Sequence, residues 1–179
     1  MRRLLALLVS VFLLLPLCAA AEETDEVYLA EPFGCEDLDG NPFDASLFDG
    51  AQLLLIDVWE PWCPWCLEEM PDLNELYELN RENGFLIVGL SGVSTAPGYD
   101  AKKTAADMGI TYPLVNGTDA LLPFRPEGFP STYVYQRQED GRFLFLGVIT
   151  GYMPREDWNR FLTENLPGAV TEAAAAENK

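Results

Sequence analysis

Residues 51–59 read AQLLLIDVW, a near-continuous apolar run bounded by Gly50 and Pro61. Such a run is the pattern of a central parallel strand buried on both faces. Parallel neighbours need crossover connections, so the run points to an α/β architecture. Its single charge is Asp57, which is costly to bury unless paired or protonated.

The run leads directly into WEPWCPWCLEEMP, residues 59–71, where Cys63 and Cys66 stand two residues apart among Trp59, Trp62 and Trp65. Leu67, Met70, Leu73, Leu76, Tyr77 and Leu79 or Asn80 then recur at spacings of three and four. They predict an amphipathic helix ending near Asn83-Gly84 and kinked at Pro71. FLIVGLS, residues 85–91, predicts a second buried strand. A weaker helix is expected over Tyr99–Met108, a short strand over Ile110–Val115 and one helical turn over Asp119–Phe124. Ser131–Gln136 and Phe143–Ile149 flank Glu139-Asp140-Gly141 and predict an antiparallel pair. A final helix runs over Arg155–Leu166 between Pro154 and Pro167-Gly168. Upstream, Val27–Phe43 alternates around a tight-turn signal at Asp37–Asn41 and predicts an N-terminal β-hairpin. The expected fold is α/β with three layers: a mixed central sheet, helices on both faces and the hairpin at its start.

Residues 1–21 carry a basic start at Arg2 and Arg3, an apolar stretch over Leu4–Leu17 and small residues at Ala19–Ala21, the pattern of a signal peptide. An uncleaved anchor is the alternative, as is a lipoprotein signal at Cys18. Residues 22–30 read as a linker, 31–167 as one domain and 168–179 as a disordered tail. The location implied is extracytoplasmic: secreted, periplasmic or envelope-associated.

The chain has 11 Lys+Arg against 29 Asp+Glu, a net charge of −18, and this repels nucleic acid and anionic lipid head groups. It has no histidine. That excludes Ser-His-Asp and Cys-His catalysis and any histidine-ligated metal.

Three chemistries suit Cys63 and Cys66. A structural zinc site needs four ligands, and only Cys35 remains in the mature chain as a further sulfur donor. A disulfide closing so small a loop staples the unfolded chain weakly. A redox dithiol suits the spacing, because one helical turn brings the two sulfurs within bonding distance. Cys63 would then stand at the helix N-terminus, where free amides and the dipole favour its thiolate. Cys66 would be the shielded, resolving thiol. Pro64 lacks an N–H and fits the first turn, and Trp62 and Trp65 would form an apolar lip. Cys35 reads as a buried free thiol, with a third redox thiol as the alternative.

Taken together, PFGCEDLDGNPF, LLLIDVWEPWCPWCLEEMPDLNELY, FLIVGLS, ITYPLV, GFPSTYVY and ITGYMPREDWNRFL resemble the thioredoxin-fold thiol-disulfide oxidoreductases of the TlpA/ResA type. The resemblance covers about 32–166. It implies that Pro130 in GFPST is a cis-proline against the cysteine pair, shaping a substrate groove with Phe129, Trp62, Pro64 and Trp65. It implies that Asp57 relays a proton to or from Cys66; the alternative is an edge aspartate satisfied by a backbone amide. A glutamate near the site is frequent in the family, and Glu60 suits that place or is a solvated loop charge. The activity implied is reduction of protein disulfides, with no cofactor beyond the Cys63–Cys66 couple. The implied partners are cysteine-containing clients outside the cytoplasm and a membrane thiol donor. Pro64-Trp65 replaces the Gly-Pro of thioredoxin, which leaves the redox potential open. A metal-binding module and a disulfide oxidase or isomerase remain as alternatives.

Overall fold

The computed structural model describes residues 27–29, 36–43, 45–91, 98–117, 124 and 126–171. The signal segment, Cys35, most of the turn expected over 119–124 and residues 172–179 lie outside them. Among the described residues five strands form one mixed sheet: β1 Leu53–Val58, β2 Phe85–Ser91, β3 Leu114–Asn116, β4 Ser131–Arg137 and β5 Phe143–Thr150, in the order β3-β2-β1-β4-β5. β1 lies in the centre, parallel to β2 and antiparallel to β4. Every residue of β1 and β2 is buried, as their apolar runs require. Removing each Leu, Ile or Val side chain from water contributes ~1.5–3 kcal/mol, which makes this pair the anchor of the fold. β3 begins four residues later than expected. Pro113 donates nothing to a ladder, and pairing with β2 starts where its carbonyl accepts from Gly89 N at 2.8 Å.

Among the described residues α1 Pro64–Asn80 and α2 Ala101–Asp107 connect strands, and α3 Arg155–Asn165 follows β5. Leu53, Leu55 and Trp59 from one side of the sheet form a single core with Met70, Leu73 and Leu76 of α1, Ala105 of α2, and Trp158 and Leu162 of α3. Leu54, Ile56 and Val58 face the other way. There the cover among the described residues is Phe48 of the 3-10 turn Ala45–Phe48, with Leu29, Phe43 and Phe124 packed beside it. The described cover on this face is that 3-10 turn and its aromatic neighbours, and the chain keeps the expected three-layer α/β fold.

Two expectations change. Among the described residues the N-terminal hairpin shows one bridge, Glu36–Pro42, and its flanks pair with opposite edges of the sheet. Val27–Leu29 lies along β5, with Leu29 N donating to Phe143 O at 2.9 Å, while Glu36 O accepts from Asn116 N of β3 at 2.9 Å. Unpaired edge strands offer stronger pairing than a short hairpin offers itself, and covering them guards against aggregation. The described part of the expected tail, residues 168–171, packs against α1. Asn80, fully buried at the end of α1, donates to Val170 O at 2.9 Å and accepts from Val170 N at 2.6 Å. Asn80, not the exposed Leu79, therefore takes the inward position at the end of the α1 stripe.

Candidate active site

β1 ends in the buried segment Trp59-Glu60-Pro61, which turns the chain into α1. Cys63 N donates to Glu60 O at 2.9 Å, and Leu67 N closes the first helical turn on Cys63 O. Cys63 is the N-cap residue in extended conformation, and Pro64 takes the first helical position, where its missing N–H costs nothing. Cys63 and Cys66 form a disulfide with Cα atoms 5.3 Å apart. Cys66 N also donates to Cys63 Sγ at 3.1 Å. The sulfur is therefore held by a helix amide at the positive end of the dipole, an environment that favours a thiolate once the bond is reduced. Cys63 is 3% exposed and Cys66 fully buried, so any attacker reaches Cys63 first.

Aromatic rings frame the pair. Trp62, 43% exposed, meets Phe129 edge-on at 5.4 Å, and Trp65, 57% exposed, packs at 5.8 Å from Tyr152. Trp59 lies in the core. The Phe129–Pro130 peptide is cis, the geometry the resemblance implied for GFPST. Pro130 O accepts from Gly151 N at 2.8 Å, which ties the GFPST loop to the end of β5.

Polar side chains are buried on the strand and turn that precede the cysteines. Asp57, 1% exposed, stands directly across β1–β4 from Thr132, whose hydroxyl donates to Asp57 Oδ1 at 3.4 Å. Burial pushes the Asp57 carboxyl up to about 8, and negative charge on Glu69 adds to this while Thr132 opposes it. Asp57 Oδ2 has no hydrogen-bond partner among the described residues, so the backbone-satisfied edge aspartate does not describe it. Glu60 is buried too, and the solvated-charge reading of it falls.

Sequence reasoning missed Glu69. It sits three residues after Cys66, buried, and its Oε1 accepts from Met153 N at 2.8 Å and from the Trp158 indole at 3.0 Å. Burial raises its carboxyl to about 7, against those two donors. A signal existed: Cys66, Glu69, Leu73, Leu76 and Asn80 follow the three–four spacing, so two polar residues sit on the inward stripe. Among the described residues no group of three or more cysteine, aspartate or glutamate side chains is placed to hold a metal.

Comparison with solved structures places the fold among proteins of this chemistry. A thiol:disulfide interchange protein of the thioredoxin family from Chlorobium tepidum TLS shares 25% identity over 74% of this chain and 92% of its own, with a TM-score of 0.62. A secreted Mycobacterium tuberculosis disulfide oxidoreductase homologous to E. coli DsbE shares 21% over 74% and 95%, at 0.58. StoA from Bacillus subtilis shares 18% over 70% and 92%, at 0.55. No curated protein matches the chain. The family model described as Redoxin matches residues 29–122. With a cysteine pair of this geometry on this fold, the chain belongs to the Redoxin family and is a thioredoxin-fold thiol-disulfide oxidoreductase.

Proposed function

We propose that the chain reduces protein disulfides outside the cytoplasm. The observation that carries disulfide exchange is Cys63 as the N-cap of α1, its sulfur held by the Cys66 amide, with Asp57 buried near the end of β1; the reducing direction follows from the resemblance to the TlpA/ResA type. The reduced Cys63 thiolate attacks one sulfur of a client disulfide. That S–S bond breaks, and the client's other sulfur leaves as a thiolate. Cys66 then passes its proton to the Asp57 carboxylate and attacks Cys63 Sγ. The second client sulfur leaves with the electron pair, the client has gained two electrons, and Cys63–Cys66 is oxidised. A carboxyl that titrates near 8 is matched to taking that proton at neutral pH.

A membrane thiol donor would return the couple to the dithiol, and cytochrome c maturation or envelope redox balance are processes that use such a reductase. The extracytoplasmic assignment rests on the signal-like residues 1–21 and on the secreted relative from Mycobacterium tuberculosis. The aromatic rim at Trp62, Trp65 and Phe129 is suited to an extended client segment lying against Pro130.

The test is the equilibrium potential of the couple in glutathione and dithiothreitol buffers. A reductase sits near thioredoxin's value of about −270 mV, and a value near DsbA's at about −120 mV would sink the proposed direction. In parallel, Cys66→Ser should accumulate mixed disulfides through Cys63. A metal carrier would instead purify with stoichiometric metal.

A further inference from the structure

Trp59 and Tyr112 lie in the core that also holds Cys63 and Cys66, and Asp57 acts on Tyr112. Asp57 and Trp59 are two residues apart along the β1 direction and face the same side of the sheet. Gly89 of β2 is the direct partner of Asp57. The position a Cβ would take on Gly89 lies 3.2 Å from Trp59 Nε1 and 2.9 Å from Tyr112 Cε2. The indole nitrogen and the phenol ring therefore close together over the bare glycine, next to the carboxyl. Asp57 Oδ2, Trp59 Nε1 and the Tyr112 hydroxyl are all fully buried, and none has a hydrogen-bond partner among the described residues.

Buried polar groups in folded proteins are satisfied by protein or by internal water, and a water needs two to four polar partners. The three atoms supply a complementary set. The indole can only donate, the carboxylate can only accept, and the hydroxyl does either. We propose that Asp57 Oδ2, Trp59 Nε1 and the Tyr112 hydroxyl bind one internal water, and that Tyr112 is thereby a positioning residue of the redox reaction. The water accepts from the indole and donates to Tyr112 and to the ionised Asp57. When Asp57 holds the proton taken from Cys66, the same water accepts it as a hydrogen bond without moving. No bond to the water is made or broken.

This role rests on the Asp57 relay proposed above. The groups acting on Asp57 are Glu69 from α1, Thr132 from β4 and Tyr112 from the segment before β3, and none of them is basic. Donation from the water stabilises the charged carboxylate, so losing Tyr112's share of the site moves the Asp57 midpoint upward.

A high-resolution crystal structure of the oxidised chain should show one water within ~3.2 Å of all three atoms. Tyr112→Phe should lose it. In the same variant, the pH midpoint for resolving the mixed disulfide should rise by roughly one unit, about tenfold less carboxylate at neutral pH. A site without water, or a midpoint that stays put or falls, overturns the inference. Asp57→Asn separates the two claims. If it leaves the pH profile intact, the relay falls and the Tyr112 role with it, and the crystal structure alone judges the water.

Discussion

Glu69 Oε1 accepts the indole N–H of Trp158 at 3.0 Å, joining α1, which carries the disulfide, to α3. The same oxygen takes the Met153 amide, one residue beyond the Tyr152 that packs on Trp65. Glu69→Ala should leave the buried Trp158 indole and the part-buried Met153 amide without an acceptor and destabilise the fold by about 2–4 kcal/mol in urea unfolding. Glu69→Gln keeps an acceptor and should cost less. Because negative charge on Glu69 helps to raise Asp57, Glu69→Gln should also move the midpoint of mixed-disulfide resolution down from about 8. An unchanged midpoint would show that the two carboxyls do not act on each other.

Stability should fall with rising pH. Between 3.8 and about 8 the folded chain holds a proton on Asp57 that the unfolded chain has lost, and Glu69 does the same between 4.5 and about 7. Where the folded state binds more protons, unfolding free energy declines as pH rises. The effect is absent below the ordinary carboxylate range and complete above pH 8. Asp57→Asn removes the larger part. Relative to wild type it should gain roughly 2 kcal/mol or more between pH 5 and pH 9 in urea titrations. Parallel pH profiles for the two proteins would mean that Asp57 ionises freely in the folded chain.

Local patterns made the redox pair legible. Cys63, Pro64 and Cys66 lie within one helical turn, and β1 is a contiguous apolar run. The buried polar side chains were not legible in the same way. Glu69 meets partners 84 and 89 residues away, and Asn80 meets Val170 at 90. Only the three–four spacing sets these side chains apart from the exposed Glu68 and Leu79 beside them, and spacing names no partner. Tyr112 reads as one apolar residue of a weak strand until β2 and Gly89 are in place. The N-terminal arms failed for the converse reason: their local hairpin signal competed with two sheet edges that only the complete fold presents.

Gly89 should tolerate no side chain. Its backbone is ordinary, so the constraint is contact. An added Cβ would lie 2.5 Å from Leu114 Cδ2 and 2.9 Å from Tyr112 Cε2, both inside a packed core. Gly89→Ala should therefore destabilise by about 1–3 kcal/mol in denaturant unfolding, as overpacking does. A neutral outcome would show that β3 and Tyr112 move aside easily.

Trp62 should matter to clients and not to the disulfide itself. It is 43% exposed and rests edge-on against Phe129, so one side of the ring faces whatever approaches Cys63. Edge-to-face aromatic pairs contribute ~0.5–1.5 kcal/mol beyond area burial, and the ring offers a comparable contact to a client side chain. Trp62→Ala should slow reduction of a protein disulfide about tenfold, the rate equivalent of ~1.4 kcal/mol. Reaction with dithiothreitol, which is too small to span the rim, should change little. Stopped-flow rates with insulin and with dithiothreitol make the comparison. Equal slowing of both would place Trp62 in the chemistry at Cys63 instead of in client binding.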